Sequence, residues 1–117
     1  MTRTPLPGRP VRGSRSGGPL MALFDLLGRR WAMGALWRLC EEGPATFRAL
    51  RSRCGDVSPS VLNSRLKELR EAGLVRRAEF GYEATAAGLE LYAIMQPMRR
   101  WSEHWAEALS ASGPKPR

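Results

Sequence analysis

The chain has 117 residues, 43% hydrophobic and 26% charged, which is the composition of one globular domain. Nineteen basic and eleven acidic side chains give a formal net charge of +8, which favours a polyanionic partner or a basic surface. No apolar run approaches the ~18 residues of a membrane span, so we expect no membrane partner. One histidine and two cysteines form no cluster with metal-ligand spacing, so we expect no metal. We also expect no cofactor.

The two ends of the chain have a different composition from its body. Residues 1–18 are rich in Pro, Gly, Arg and Ser and hold four arginines without an acid. Such a segment has too few apolar side chains for a core, and we interpret it as a disordered basic arm. The arm would either add phosphate contacts or remain a solvated tail. We interpret residues 113–117 as a second disordered tail, which leaves one domain over residues 19–112.

Two helices are predicted at the start of this domain, because apolar residues recur at helical spacing. The apolar positions are Leu20, Leu23, Phe24 and Leu27 in the first helix and Met33, Leu36, Trp37 and Cys40 in the second. Gly28 ends the first helix, and Gly43-Pro44 breaks the chain after the second. Cys40 and Cys54 both lie at apolar positions, so we expect buried free thiols of a cytosolic protein rather than a disulfide.

A helix-turn-helix unit is predicted over the next thirty residues. A short third helix is followed by a tight turn at Gly55 and Asp56. Ser58 is a good N-cap for the next helix and Pro59 suits its first position. This helix, residues 59–72, ends before Gly73. An apolar stripe (Leu62, Leu66 and Leu69) runs along one side, and small polar and basic side chains occupy the other.

This fourth helix is the candidate recognition helix for a DNA major groove. Residues 43–77 hold eight basic and three acidic side chains, so the charge excess lies on the segment that would contact DNA. An ordinary amphipathic helix with a solvated back is the alternative. The candidate DNA-binding residues are Arg48, Ser58, Ser60, Asn63, Ser64, Arg65, Lys67, Arg76 and Arg77.

A hairpin and a long helix complete the predicted fold. The segment LVRRAEFGYEAT predicts two short antiparallel strands with a tight turn at Phe80-Gly81, which would form a wing. Thr85 begins a final helix over residues 85–112, whose apolar seam is typical of a coiled coil. The candidate dimer-interface residues on this seam are Leu91, Ile94, Met98, Trp101 and Trp105. The alternative is a helix that packs back on its own domain.

The predicted fold class is therefore mostly α with a small β-hairpin (α+β). It is a winged helix-turn-helix with N- and C-terminal dimerisation helices.

Five motifs in order resemble the HxlR-type winged helix-turn-helix regulators of bacteria, within the MarR-like superfamily, over roughly residues 20–109. The matching residues are Gly28, Arg30 and Trp31; Gly43, Pro44, Phe47 and Leu50; Ser58, Leu62, Arg65, Leu66, Leu69, Gly73, Leu74 and Val75; Thr85 and Gly88; and Pro97 and Trp105. The chain departs from this pattern twice. Its wing is about half the usual length, and the segment SGGPLMALF lacks the N-terminal cysteine of redox-sensing members.

The function predicted from the residues and from this resemblance is sequence-specific regulation of transcription. A homodimer would read a palindromic operator in double-stranded DNA, in the cytoplasm and associated with the nucleoid. The alternative is a winged-helix protein-interaction module with only non-specific nucleic-acid contact. We expect no enzymatic activity, because His104 lies on the seam helix and no Gly-rich phosphate loop is present. A small-molecule effector is conceivable, but no residue pattern supports one.

Overall fold

The computed structural model describes residues 3–112 and has five helices and one hairpin in that range. The elements are α1 (Pro19–Leu27), α2 (Ala32–Glu42), α3 (Phe47–Arg53), α4 (Pro59–Glu71), β1 (Val75–Ala78), β2 (Gly81–Ala84) and α5 (Ala86–Ser112). This order confirms the predicted winged helix-turn-helix. The tail predicted for residues 113–117 lies outside the described residues. No described helix is long and apolar enough to cross a lipid bilayer.

The core forms around α2, which packs against α1, α3, α4, α5 and β2. Leu62, Leu66 and Leu69 of α4 are almost completely buried, which confirms the predicted apolar stripe. Leu36 and Leu39 of α2 join them in one cluster. Each such leucine stabilises the fold by about 1.5–3 kcal/mol relative to an exposed one, so α4 is held firmly along one side.

The first two helices are present as predicted but bury only part of the predicted faces. In α1 the buried residues are Ala22 and Leu26, whereas Leu20 and Phe24 are exposed. In α2 the small residues Ala32 and Ala35 face the core together with the leucines named above. Leu36 is buried as predicted, and Leu27 and Cys40 pack against the core. The prediction was wrong for Leu20, Phe24 and Met33 because it favoured large apolar side chains, whereas close helix packing in a small domain places alanines at the contact.

The ends of the helices follow the capping rules. The Ser58 hydroxyl accepts a hydrogen bond from the Val61 N–H at 3.3 Å, and Pro59 is the first residue of α4. Gly73 has φ +76°, the left-handed conformation expected just after a helix. The Thr85 hydroxyl accepts from the Gly88 N–H at 3.1 Å, which confirms Thr85 as the cap of α5.

The hairpin turn lies one residue earlier than predicted. Ala78 pairs with Gly81, so the two turn residues are Glu79 and Phe80. Sequence reasoning also missed a third pairing, in which Tyr82 and Ala45 exchange backbone hydrogen bonds of 2.8 and 3.0 Å. This bridge brings the α2–α3 linker against the start of β2, close to the turn of the wing.

Residues 3–18, which composition predicted to be disordered, form a looped segment against the domain. Backbone bonds of 2.9 and 3.0 Å between Val11 and Ser14 close one turn of this segment. The Arg12 N–H donates to the Asp25 carboxylate at 3.0 Å, and Arg29 donates to the Arg3 carbonyl at 2.8 Å. The segment has little apolar surface to bury, so polar groups of the domain hold its backbone instead.

We expect Gly81→Ala to destabilise the protein. A Cβ at Gly81 would overlap the Ala45 carbonyl and the backbone of Thr46. Forcing an atom into packed backbone costs about 1–3 kcal/mol. The control is Gly34→Ala in α2, where a Cβ meets nothing within 4 Å and alanine should add about 0.5–1 kcal/mol. Urea denaturation measures both, and equal stability of Gly81→Ala and wild type would contradict the close approach.

Candidate nucleic-acid interface

The turn between α3 and α4 is fixed by one arginine. Gly55 and Asp56 both have positive φ, at +81° and +59°. The Asp56 N–H donates to the Arg51 carbonyl at 2.9 Å, and Arg51 Nε donates to the Val57 carbonyl at 2.6 Å. Arg51 thus holds both sides of the turn and sets the angle at which α4 leaves α3. The Arg51 side chain therefore has a structural role in the turn.

The exposed face of α4 carries Ser60, Asn63, Ser64 and Lys67, opposite the buried leucines. Three of these side chains donate and accept hydrogen bonds, and the fourth adds a positive charge. The Asn63 amide has the donor–acceptor pair that matches the major-groove edge of adenine. We call these four residues the reading face. Ser58 is also exposed, but its hydroxyl already caps the helix.

Arg65, predicted to contact DNA bases, does not belong to the reading face. Its Nε donates to the Arg30 carbonyl at 2.9 Å and its Nη1 pairs with Glu68 at 2.6 Å. At 100° per residue Arg65 lies only about 60° from Leu62, and it therefore turns toward the domain. This geometry argues against the predicted base contact and makes Arg65 a residue that positions α4.

Glu68 is the centre of a charge cluster that sequence reasoning missed. It is only 8% exposed and binds Arg65 with one carboxylate oxygen and Arg29 with the other, each at 2.6 Å. Arg29 follows α1, so the cluster ties the first helix to α4. The sequence contains one sign of this cluster, because the charged Glu68 lies between Leu66 and Leu69 of the apolar stripe.

The remaining candidate arginines lie outside α4. Arg48 is exposed near the start of α3 and makes no ion pair with residues 3–112. Arg76 of β1 is 68% exposed and pairs with Glu83 across the hairpin at 2.6 Å. The Arg77 guanidinium lies 5.4 Å from the ring centre of Tyr82. The wing tip itself carries Phe80, 79% exposed, in place of a basic side chain.

Helix α5 presents an apolar face beyond the domain. Ile94, Met98, Trp101 and Trp105 are each more than half exposed, and the two tryptophan rings stack with centres 5.9 Å apart. Leu91 differs from the other predicted seam residues because it is half-buried against the core of its own domain.

The two cysteines are free thiols in partly buried positions. Burial raises the pKa of both Cys40 and Cys54, which lowers the fraction of reactive thiolate at neutral pH. Nothing in this environment favours redox sensing by either residue. Within residues 3–112 no three His, Cys, Asp or Glu side chains are grouped as metal ligands.

Comparison with known proteins gives one consistent result. The sequence model of the HxlR-like helix-turn-helix family matches residues 26–110. An uncharacterised helix-turn-helix transcriptional regulator of Halalkalibacterium halodurans is 30% identical over 90 residues, covering 71% of this chain and 80% of the relative. The uncharacterised regulator YybR of Bacillus subtilis is 26% identical over 105 residues, which cover 84% of this chain and 83% of YybR.

Solved structures of similar fold include two bacterial or archaeal proteins of this kind. The quinone-bound form of YodB from B. subtilis is similar at a TM-score of 0.68 and 32% identity, covering 73% of this chain and 96% of YodB. A possible HxlR-family transcription factor of Thermoplasma volcanium matches at a TM-score of 0.62 and 23% identity. The match covers 73% of this chain and 82% of that protein, and it supports the fold alone. The family and the curated relatives are transcriptional regulators rather than enzymes, as predicted.

We expect Glu68→Ala to lower the free energy of unfolding by about 3 kcal/mol. Removing the carboxylate leaves two largely buried guanidinium groups without their counter-charge, which is costly. The matched control is Glu79→Ala at the exposed wing turn, where a surface change should stay within about 0.5 kcal/mol. Thermal and urea unfolding measure the difference. If both variants unfold alike, the cluster does not hold α4.

Proposed function

This chain belongs to the HxlR-like helix-turn-helix family, and from that premise we propose that it acts as a homodimer on a palindromic operator. It is a transcriptional regulator with a helix-turn-helix DNA-binding fold. The observation that carries the proposal is α4 itself. One side is anchored by three leucines, and the other offers four small polar or basic groups to solvent. A single α-helix of this kind fits the major groove.

The proposed contacts divide into two kinds. Ser60, Asn63 and Ser64 would read base edges, with Asn63 making the most selective contact. Lys67 and Arg48 would contact phosphates on either side of the groove, which fixes the position of α4 without reading sequence. Arg76 and Arg77 of the wing would add further phosphate contacts. The reading face holds few groups that make two hydrogen bonds to one base, so DNA shape would supply part of the selectivity.

The homodimer is proposed from the apolar face of α5. Five large apolar side chains of α5 are more than half exposed, Leu109 in addition to the four named above, and they form an unusual patch for an isolated small domain. With 27 residues, α5 is about 40 Å long and extends past its own core. The exposed Leu20 of α1 adds to the apolar surface that a second copy would cover. Two recognition helices would then enter half-sites about 34 Å apart.

The proposal places the protein in the cytoplasm, at the nucleoid. The competing function is a protein-interaction module whose nucleic-acid contact is non-specific. The short wing with Phe80 at its tip favours that alternative, whereas the polar reading face of α4 favours the regulator.

We expect Asn63→Ala and Lys67→Gln to affect DNA binding in different ways. On a duplex selected from a random library, Asn63→Ala should weaken binding about 10-fold or more and leave binding to random duplexes unchanged, because a bidentate base contact is worth about 1–3 kcal/mol. Lys67→Gln should weaken binding to every duplex and lower the log–log salt slope by about 0.9, the value for one phosphate contact. Fluorescence anisotropy over a salt series measures both.

The charge-matched control is Arg100→Gln, which removes an exposed cation from α5 and should change neither value. Selection that yields no preferred duplex, together with an unchanged Asn63→Ala variant, would favour the interaction module over the regulator.

We expect Trp105→Ala to shift a dimer toward monomer. The indole is 53% exposed in the isolated chain and stacks on Trp101, so its removal takes a large apolar area from the proposed interface. Phe80→Ala is the control, since it removes an aromatic ring that is even more exposed but lies on the wing. Sedimentation equilibrium gives the association constant of each. A wild-type chain that stays monomeric at tens of micromolar would overturn the palindromic arrangement.

A further inference from the structure

The N-terminal segment, residues 3–18, begins beside the reading face of α4. The Thr4 hydroxyl donates a hydrogen bond to the carboxylate of Glu71, the last residue of α4. At 100° per residue Glu71 lies about 40° from Lys67 and about 20° from Ser64 around the helix, so it continues the reading face by one turn. The segment therefore meets α4 at the edge of the surface proposed to enter the major groove.

The segment has a defined shape of its own. The Gly8 N–H donates to the Gly17 carbonyl at 2.9 Å, and a Cβ at Gly17 would overlap the backbone of Arg9. Gly8 and Gly17 have φ of +92° and +72°, a conformation that favours glycine. The two limbs of the loop therefore pack directly against each other. A segment that is already ordered loses less conformational entropy on binding than a loose tail does.

Backbone atoms attach the segment to the domain, which leaves two guanidinium groups without a partner. Arg12 donates its backbone N–H to Asp25 at 3.0 Å, and the Arg3 carbonyl accepts from Arg29 at 2.8 Å. In the part of the chain that the structure describes, neither the Arg3 nor the Arg12 guanidinium makes a hydrogen bond or an ion pair. Arg9 differs, because its guanidinium donates to a backbone carbonyl inside the segment at 2.5 Å.

The cationic side chains of the adjoining domain are already engaged. Arg29 and Arg65 share the Glu68 carboxylate, each at 2.6 Å. The Arg30 guanidinium stacks over the Trp31 ring, 5.1 Å from its centre. We therefore assign no ligand to these three arginines, and the side chains that can bind an anion here belong to the N-terminal segment.

The acids that touch the segment do not cancel its charge. Residues 3–18 hold four arginines and no acid. Asp25 and Glu71 each accept a hydrogen bond from the segment, so two carboxylates stand against four guanidinium groups. A basic strip beside a helix that reads a groove attracts the phosphates that border the groove.

We propose that the N-terminal segment forms a second DNA contact, in which Arg3 and Arg12 bind phosphates of the strand that borders the major groove beside the end of α4. This inference rests on the proposed function of α4. A helix about 10–12 Å across fills a major groove about 12 Å wide, so both flanks of α4 face phosphates. Phosphate contacts carry no sequence information, so the segment adds affinity and fixes the orientation of α4. It supplies basic contacts that the wing tip, with Phe80, does not.

The charge of the segment is tested with the double variant R3Q/R12Q of the full chain, which keeps both backbone anchors. Fluorescence anisotropy over a salt series is measured on a selected duplex and on a random one. We expect binding to both to weaken about 10-fold at low salt and the log–log slope to fall by about 1.8, at about 0.9 for each phosphate contact. The control R99Q/R100Q removes two exposed charges from α5 and should leave the slope unchanged.

Ethylation of single phosphates in the selected duplex locates the contacts. Wild type should show interference at phosphates beside the end of α4 that R3Q/R12Q lacks, while the interference caused by Lys67 remains. Identical interference patterns for wild type and R3Q/R12Q would overturn the proposed contact.

Thr4→Val tests whether the segment acts from its attached position. The substitution removes the hydroxyl without changing charge, so it loosens the segment and leaves the Glu71 carboxylate facing phosphate. Both effects weaken DNA binding, and we expect a loss of about 3-fold or more on every duplex. Unchanged binding by Thr4→Val, together with a lower slope in R3Q/R12Q, would show that the arginines act from a loose tail and would overturn the attached contact.

The outcomes separate this inference from the proposed function. A wild-type slope in R3Q/R12Q, with the preference for the selected duplex retained, would refute the contact and leave the regulator intact. A chain without any preferred duplex, whose slope still falls in R3Q/R12Q, would refute the sequence-specific regulator and leave the phosphate contact of the segment intact.

Discussion

The helix α4 has to be buried on one side and free on the other, and most of the structure follows from this constraint. Three leucines hold it against α2, while the carboxylate of Glu68 draws Arg65 and Arg29 to its flank. The apolar contacts fix the depth of the helix, and the charge cluster fixes its rotation about its own axis. A helix held in both respects presents the same four side chains to solvent, and a reading surface needs that constancy.

Much of the fold follows from local patterns that are strong in this sequence. Ser58-Pro59 at one end of α4 and Gly73 at the other are unambiguous signals for the start and end of a helix. The buried faces of α1 and α2 were less predictable. Large apolar residues such as Phe24 look like core in a sequence, but only tertiary packing decides whether an alanine or a phenylalanine faces the neighbouring helix.

The candidate site was partly predictable for a related reason. Ser60, Asn63, Ser64 and Lys67 were identified because helical periodicity separates them from the leucines. Arg65 was misjudged because its charge suggested DNA, although its angular position points toward the domain. Arg65 pairs with Glu68 of its own helix, but its other partner is the Arg30 carbonyl. Arg29 and Arg51 likewise find their partners beyond their own helices. No local pattern reveals such pairings, so a count of basic residues overstates the charge that is free for DNA.

The backbone bridge between Ala45 and Tyr82 has a consequence for how such a domain can change in evolution. Because the bridge and Gly81 secure the hairpin as far as its turn, only the two turn residues lie beyond the anchored part. Insertions there would lengthen the wing without disturbing the α3–α4 unit. The length of the hairpin can therefore change independently of the helix that it accompanies.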